Sequence, residues 1–240
     1  MLVNCDVKGL EVVVAAQLSG DKVLSKEIID GEDIHGNNQR AFKLGEGKQG
    51  RLIAKTFKFR LIYGGSAYSY ANDADFMGVS TSEKFWQGVI DAYYEKYRGI
   101  AEWHRKIVQE AQRNRRLEIP SGRYYPFEPE IKSGHVKWPI TKIKNYPVQG
   151  FGADLVMLAR IEAKKRLKEL PVDLVSTIHD SIVVDNESKY LDEVADILLR
   201  SVQEVPRLCK EAFNYDFTLP LTAEVQYGNN KRDMQEYRFS

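Results

Sequence analysis

Two β-rich runs, residues 172–178 and 182–185, flank His179-Asp180-Ser181, and so short a break suggests a hairpin with the runs antiparallel. The runs lie between helices. Residues 153–170 carry Val156, Ala159, Ala163, Leu167 and Leu170 at spacings of three and four, with Pro171 as their stop. A third helix places Leu191, Val194, Leu198, Val202 and Val205 on one face and stops at Pro206. A last strand is expected at 219–225. At the other end of the sequence Val3, Cys5 and Val7 alternate with Leu2, Asn4 and Asp6, the period of a strand. Strands alternating with helices, one pair antiparallel, indicate an α+β fold or a mixed α/β one.

The middle of the chain is mainly helical. Residues 36–50 are polar and glycine-rich around a short helical candidate, and 51–63 read as a helix ended by Gly64-Gly65. Ser80 and Glu83 form a capping-box pattern opening a helical stretch to about Arg116, broken near Gly99. Residues 117–150 hold five of the eight prolines and read as loops and short strands.

Composition removes several classes. The 240 residues are 43% hydrophobic and 29% charged, as a folded domain requires. The net charge is +1, so any basic surface for nucleic acid must be local. The longest apolar run, residues 12–16, cannot span a bilayer, and two cysteines are too few for a disulfide framework or a zinc site. A reduced, cytoplasmic globular protein is expected, with no membrane partner.

Three constellations could carry chemistry. Asp6 ends the first strand and Glu11 follows five residues later; alone, this is better read as a solvated strand terminus. Arg51, Lys55, Phe59 and Tyr63 recur every four residues, and at ~100° per residue they share one slowly drifting helical stripe. Two cations followed by two aromatics suit a nucleoside triphosphate, whereas aromatics at helical spacing also suit a core. Asp180 sits between two apolar runs, where it could face a second carboxylate and share metal ions with it, or simply form an Asx turn.

Taken in order, the three resemble motifs A, B and C of the family A DNA polymerases. Asp6 to Glu11 is similar to motif A. Arg51, Lys55, Phe59 and Tyr63-Gly64 match motif B at its spacing, and Ile178-His179-Asp180 matches motif C. The resemblance runs from about residue 2 to Tyr227. It implies a right-hand palm (1–30 and 119–240, with a motif C hairpin at 172–186) and helical fingers (31–118, with a motif B helix at 51–63).

The resemblance also implies roles. Asp6 and Asp180, with the Val7 carbonyl, would hold two Mg²⁺ ions, Mn²⁺ being a substitute, for template-directed DNA synthesis. Arg51, Lys55 and His35 would contact the triphosphate, Lys55 also as proton donor to pyrophosphate. Phe59 would stack near the sugar and base, and lacking a tyrosine hydroxyl would discriminate against dideoxynucleotides. Glu11, with Tyr63 beside it, would exclude a 2′-hydroxyl. Asn145 and Gln149 would read the minor-groove side of the new pair, His179 would lie near the primer terminus, and Arg123 would contact DNA. The basic run 105–116 reads as a solvated helix face, with duplex phosphates as the alternative.

Three residues depart from the family pattern: Ser181 replaces a glutamate, Thr141 an arginine and Arg60 a small residue. Motif A begins at residue 6. The thumb, the upper palm and any exonuclease domain would therefore lie outside these residues. The expectation is one chain of a split polymerase in a bacterial or virus-infected cell, working on primer-template and dNTPs with a second polypeptide. A truncated or fragmentary chain is the rival explanation. The alternative in function is a catalytically weak or inactive subunit that binds dNTP or primer-template.

Overall fold

The computed structural model describes residues 1–132 and 134–239. By packing they form two units, one of residues 1–13, 120–122 and 149–240, the other of 14–119 and 123–148. The palm and fingers limits expected above, 30/31 and 118/119, are assignments of role, whereas these limits follow contacts. The chain runs β1 (Leu2–Val7), α1 (Leu10–Ser19), α2 (Lys22–Ile29), α3 (Ile34–Ala41), α4 (Gly47–Ile62), α5 (Ala67–Ala71), α6 (Glu83–Lys96) and α7 (Arg98–Asn114). Two small hairpins follow, β2 (Arg116–Glu118) with β3 (Tyr124–Pro126) and β4 (Glu130–Lys132) with β5 (His135–Lys137). Then come α8 (Ile140–Arg166), β6 (Asp173–Ile178), β7 (Ser181–Asp185), α9 (Leu191–Gln203), α10 (Val205–Phe213), β8 (Ala223–Gly228) and β9 (Gln235–Glu236).

The first unit is built on a five-stranded antiparallel sheet ordered β6-β7-β1-β8-β9. β1 is therefore central, and Val3, Cys5 and Val7 are buried, as their alternation predicts. Helix α9 packs on β1 and β8, with Val194, Leu198 and Val202 buried. The fold is α+β, with the antiparallel sheet and the helical second unit expected of a palm and fingers.

The second unit closes around aromatic rings. Phe57 lies 4.9 Å from Tyr70 and 5.9 Å from Trp86 between centroids, and Phe76 packs edge-on to both Tyr70 and Trp86. Their polar tips are satisfied by backbone, Tyr70 donating to the Phe57 carbonyl and Trp86 to that of Ser80. Buried Asp21 caps two helices at once: it accepts from Leu24 in α2 and from Gly99 and Ile100 in α7. A Cβ at residue 99 would stand 2.6 Å from the Asp21 Cα, so the glycine permits this approach. The helix break falls two residues earlier, at Tyr97.

Other expectations need correction. The cap of α6 is Ser82, which accepts from Phe85; Ser80 instead accepts from the Ser82 amide. The long helix starts at Ile140, not 153, and runs through Pro147. An internal proline costs about 3 kcal/mol, which burial of Ile143, Val148, Phe151 and Leu155 along the same helix offsets. Pro206 ends nothing: it stands in the first turn of α10, where its missing N–H costs no helical bond. The last strand is 223–228 rather than 219–225, set by its pairing with β1. The motif B helix is longer than expected at its start, 47–62, and the hairpin spans 173–185.

Candidate active site

In the sheet unit, register brings motifs A and C together. Asp6 on β1 pairs with Ser181 on β7 and, on its other side, with Glu224 on β8. The Val7 amide donates to the Asp180 carbonyl at 3.1 Å, so the two aspartates sit one step apart on neighbouring strand ends. His179 and Asp180 form the two-residue turn of the hairpin. His179 has φ 53°, in the left-handed region, and the Ser181 hydroxyl closes the turn by donating to the Ile178 carbonyl at 2.9 Å. Buried Cys5, beside Asp6, has its thiol pushed up to about 12 by burial and then by the Asp6 charge, so it remains a neutral core residue.

Magnesium takes hard oxygen ligands, commonly one or two carboxylates completed by water and substrate phosphate. Two aspartates at adjacent strand ends fit that donor set. Among the described residues no cluster of three or more His, Cys, Asp or Glu forms a closed protein cage, and an Mg²⁺ site of this kind requires none.

Gly9, at φ 58°, turns the chain from β1 into α1 and puts Glu11 in the first helical turn, where a carboxylate complements the helix dipole. Gln149 of α8 donates to Glu11 Oε1 at 3.3 Å. The residue expected to gate the sugar and one expected to read the minor groove are thus in contact. Asn145 is four residues earlier on α8 and half-buried. Ser121 donates to Asp154 at 2.6 Å.

In the helical unit, α4 separates its faces as its sequence requires. Ala54, Phe57, Lys58, Leu61 and Ile62 are buried, whereas Arg51 and Lys55 are exposed and Phe59 and Tyr63 half-buried. The cations of the stripe are therefore on the accessible side, and its aromatics are partly covered rather than fully buried. Lys55 Nζ lies 5.9 Å from the Phe59 ring centroid, and the His35 ring 6.2 Å from it. His35, on α3, is held neutral: burial first, then Lys58, Arg51 and Lys55, push its imidazole down to about 4. Gly64 at φ 86° caps α4 by donating to the Leu61 carbonyl.

Sequence reasoning did not anticipate the partner of Arg51. Arg51 Nη2 reaches Asp33 Oδ1 at 2.8 Å and its Nε reaches Oδ2 at 3.3 Å, while Asp33 also caps α3. The guanidinium holds the Asp33 carboxyl below the usual carboxylate range. The signal was Asp33 two residues before His35. Arg60, one of the departures, has its own account: it pairs with Asp73 and Asp75 and lies over the Phe76 ring. Arg123 is exposed beside β3, its carbonyl bonded by the Ile119 amide, and Thr141 is exposed on the first turn of α8. No observation explains why Thr141 replaces an arginine.

The profile of DNA polymerase family A matches residues 1–233. The thermostable DNA polymerase I of Thermus aquaticus is 29% identical over 241 residues, covering 96% of this chain and 27% of that protein. DNA polymerase I of Aquifex aeolicus is 28% identical over 211 residues, 85% of this chain and 35% of its own length. The chain thus spans about a quarter to a third of these relatives. In structure it is similar to the POL domain of Pol1 from M. smegmatis, solved with DNA primer-template and dNTP, with a TM-score of 0.80 at 21% identity over 95% of this chain and 39% of that one. The motifs, the sheet that joins two of them and the match over nearly the whole length agree: this chain belongs to DNA polymerase family A.

Proposed function

We propose that this chain carries the nucleotidyl-transfer site of a DNA-directed DNA polymerase. The observation that carries the reading is the register of β1 against β7, which fixes Asp6 beside the turn of Asp180. Asp6, Asp180 and the Val7 carbonyl hold the divalent ions. When bound, Mg²⁺ lowers the cost of ionising the primer 3′-hydroxyl and neutralises charge on the transferring phosphoryl group. The exposed cations Arg51 and Lys55 take the triphosphate, and the neutral His35 can donate one N–H to a phosphate oxygen. Lys55, whose Nζ lies 5.9 Å from the Phe59 ring centroid, returns a proton to the leaving pyrophosphate in this reading. Phe59 and Tyr63 offer ring faces to base and sugar, and Glu11 excludes a 2′-hydroxyl. Asn145, Gln149, His179 and Arg123 contact primer and template.

A second polypeptide, supplying a thumb and further palm strands, is part of the proposal. The surface it would cover is edge strand β6, where Val175 and Ile178 are 54% and 40% exposed.

The test is Mg²⁺-dependent primer extension by this chain alone, with a co-purifying partner, and as Asp180→Ala. Loss of extension in Asp180→Ala supports the assignment, and stimulation by the partner supports the second chain. Binding of dNTP or primer-template with no extension under any condition would overturn it in favour of a non-catalytic subunit.

A further inference from the structure

Among the described residues Lys58 is the only lysine or arginine that is fully buried, and the reaction as derived above gives it no part. It stands seven residues after Arg51. At ~100° per residue it returns to within about 20° of that cation's direction, two turns further along α4. One side of the helix thus carries an exposed cation first and a buried one beyond it. Helix α3, which bears His35, packs against α4.

Two buried nitrogens of these two helices lack partners. Neither Lys58 Nζ nor His35 Nδ1 makes a hydrogen bond among the described residues, although burial has cost each its water. The two are complementary: an ammonium offers three donors and no acceptor, and an imidazole nitrogen without a proton is an acceptor. The acid nearest in kind is already engaged. Glu27 of α2 holds Lys96 at 2.7 Å through Oε1, and the Tyr97 hydroxyl lies 2.7 Å from its Oε2. Lys96 Nζ and the Tyr97 hydroxyl also reach Asn38 Oδ1, at 3.0 and 2.9 Å. Glu27 therefore attracts Lys58 from α2 while Lys96 repels it from α6. The His35 ring faces Asp33 on its own helix and Arg51, Lys55 and Lys58 on α4, and of these cations Lys58 bears on it most. With Nδ1 turned inward, Nε2 is the nitrogen left to meet a phosphate.

We propose that Lys58 is a positioning residue of the triphosphate site: its ammonium donates to His35 Nδ1 from inside the helical unit and fixes the tautomer whose Nε2–H faces the nucleotide. The inference rests on the reading of Arg51, Lys55 and His35 as triphosphate contacts, and it adds the group that acts through His35. It also links nucleotide binding to a proton. Burial holds the Lys58 amine down to about 7, so in the free chain at pH 8 most of it is neutral. A polyanion beyond the imidazole favours the ammonium, and binding draws a proton from solvent onto Nζ. Only that N–H bond forms, and no bond of the nucleotide breaks.

The test is calorimetry of Mg²⁺·dCTP binding at pH 8, on the full chain with any partner, in two buffers of different ionisation enthalpy. A terminal phosphate is already ionised at that pH, its second pKa being about 6. Wild type should take up about half a proton per nucleotide bound. Lys58→Met and His35→Ala should each abolish the uptake. At pH 7, Lys58→Met should bind about fivefold more weakly, and His35→Ala at least as weakly. The double variant should bind no more weakly than His35→Ala alone, because Lys58 acts through that ring. A lysine with a merely structural role would leave the proton uptake unchanged. Equal uptake in wild type and Lys58→Met, or a double variant that suffers both losses in full, would overturn the proposal. Should Lys58→Met fail to fold, Lys58→Gln carries the same expectations. Wild-type primer extension separates the two readings. Extension without proton uptake removes the role of Lys58 only, whereas uptake that Lys58→Met abolishes, with no extension, removes the polymerase reading and leaves the nucleotide site. Absence of dCTP binding removes both.

Discussion

Arg51 grips both carboxylate oxygens of Asp33, at 2.8 and 3.3 Å, on the same helix face that carries Lys55 and Phe59. Both side chains are about half exposed, 51% and 52%, so water and ions compete for each. A pair of this kind contributes ~0.2–1 kcal/mol and yields readily to a better anion. Asp33→Asn keeps the helix cap, because Asn caps as well as Asp, and removes the competing charge. The Michaelis constant for dNTP should fall about 1.5- to fivefold with the turnover number unchanged. Steady-state extension at varied dNTP checks this, and a raised constant would mean that Asp33 positions Arg51 rather than occupying it.

Ser181→Glu places a carboxylate directly across the ladder from Asp6 and removes the hydroxyl bond to Ile178. Like charges opposed on a sheet repel, and a lost turn hydrogen bond adds about 1 kcal/mol. The variant should lose about 1–2 kcal/mol of stability in chelator and regain part of it with Mg²⁺. Urea denaturation in both conditions measures the difference; equal loss with and without Mg²⁺ would separate residue 181 from the metal site.

Lys58 points inward from α4, fully buried and, among the described residues, with no hydrogen-bond partner for Nζ, and burial pushes it down to about 7 despite the attraction of Glu27. Glu27 itself is occupied by Lys96 at 2.7 Å, and the Tyr97 hydroxyl lies 2.7 Å from its Oε2. Below about pH 7 the lysine is charged in both folded and unfolded chains, and its burial costs most. Between about 7 and the ordinary value of 10.5 the unfolded chain binds the extra proton, so stability rises with pH. Lys58→Met should stabilise the chain by on the order of a few kcal/mol at pH 6 and flatten the rise above pH 7. Denaturation midpoints from pH 6 to about 10 give the slope. An unchanged slope would show that Lys58 is solvated in the native state.

His179→Gly relaxes a left-handed residue at the tip of the motif C hairpin. The chain should gain up to about 1 kcal/mol in stability and lose extension activity, the pattern of strain retained at a working site. Thermal denaturation and primer extension on the same preparation test it, and undiminished extension would remove His179 from the primer contacts.

The three motifs were legible because each is local: Asp6 at a strand end, the stripe at four-residue spacing and Asp180 in a two-residue turn. The alternation of Val3, Cys5 and Val7 foretold a buried strand face for the same reason. What was misread depended on distant packing. Pro147 was one of five prolines that read as loop signals and Pro206 read as a stop, but the first is carried by a buried face and the second occupies a first turn. Ser80 and Ser82 both precede α6, and only tertiary structure, with the Ser80 carbonyl taken by Trp86, selects Ser82. The Asp33–Arg51 pair joins residues 18 positions apart and has no periodic signature.

The central strand of the sheet is the earliest in sequence, and its two neighbours, β7 and β8, begin at Ser181 and Ala223. Pairings this remote carry a heavy loop-closure cost and make folding slow. Strand β1 therefore gains its β7 neighbour only with the last quarter of these 240 residues and its β8 neighbour only with the last 18. Premature termination anywhere before β8 would leave that strand open on one side, so these residues form the sheet whole or leave an aggregation-prone edge.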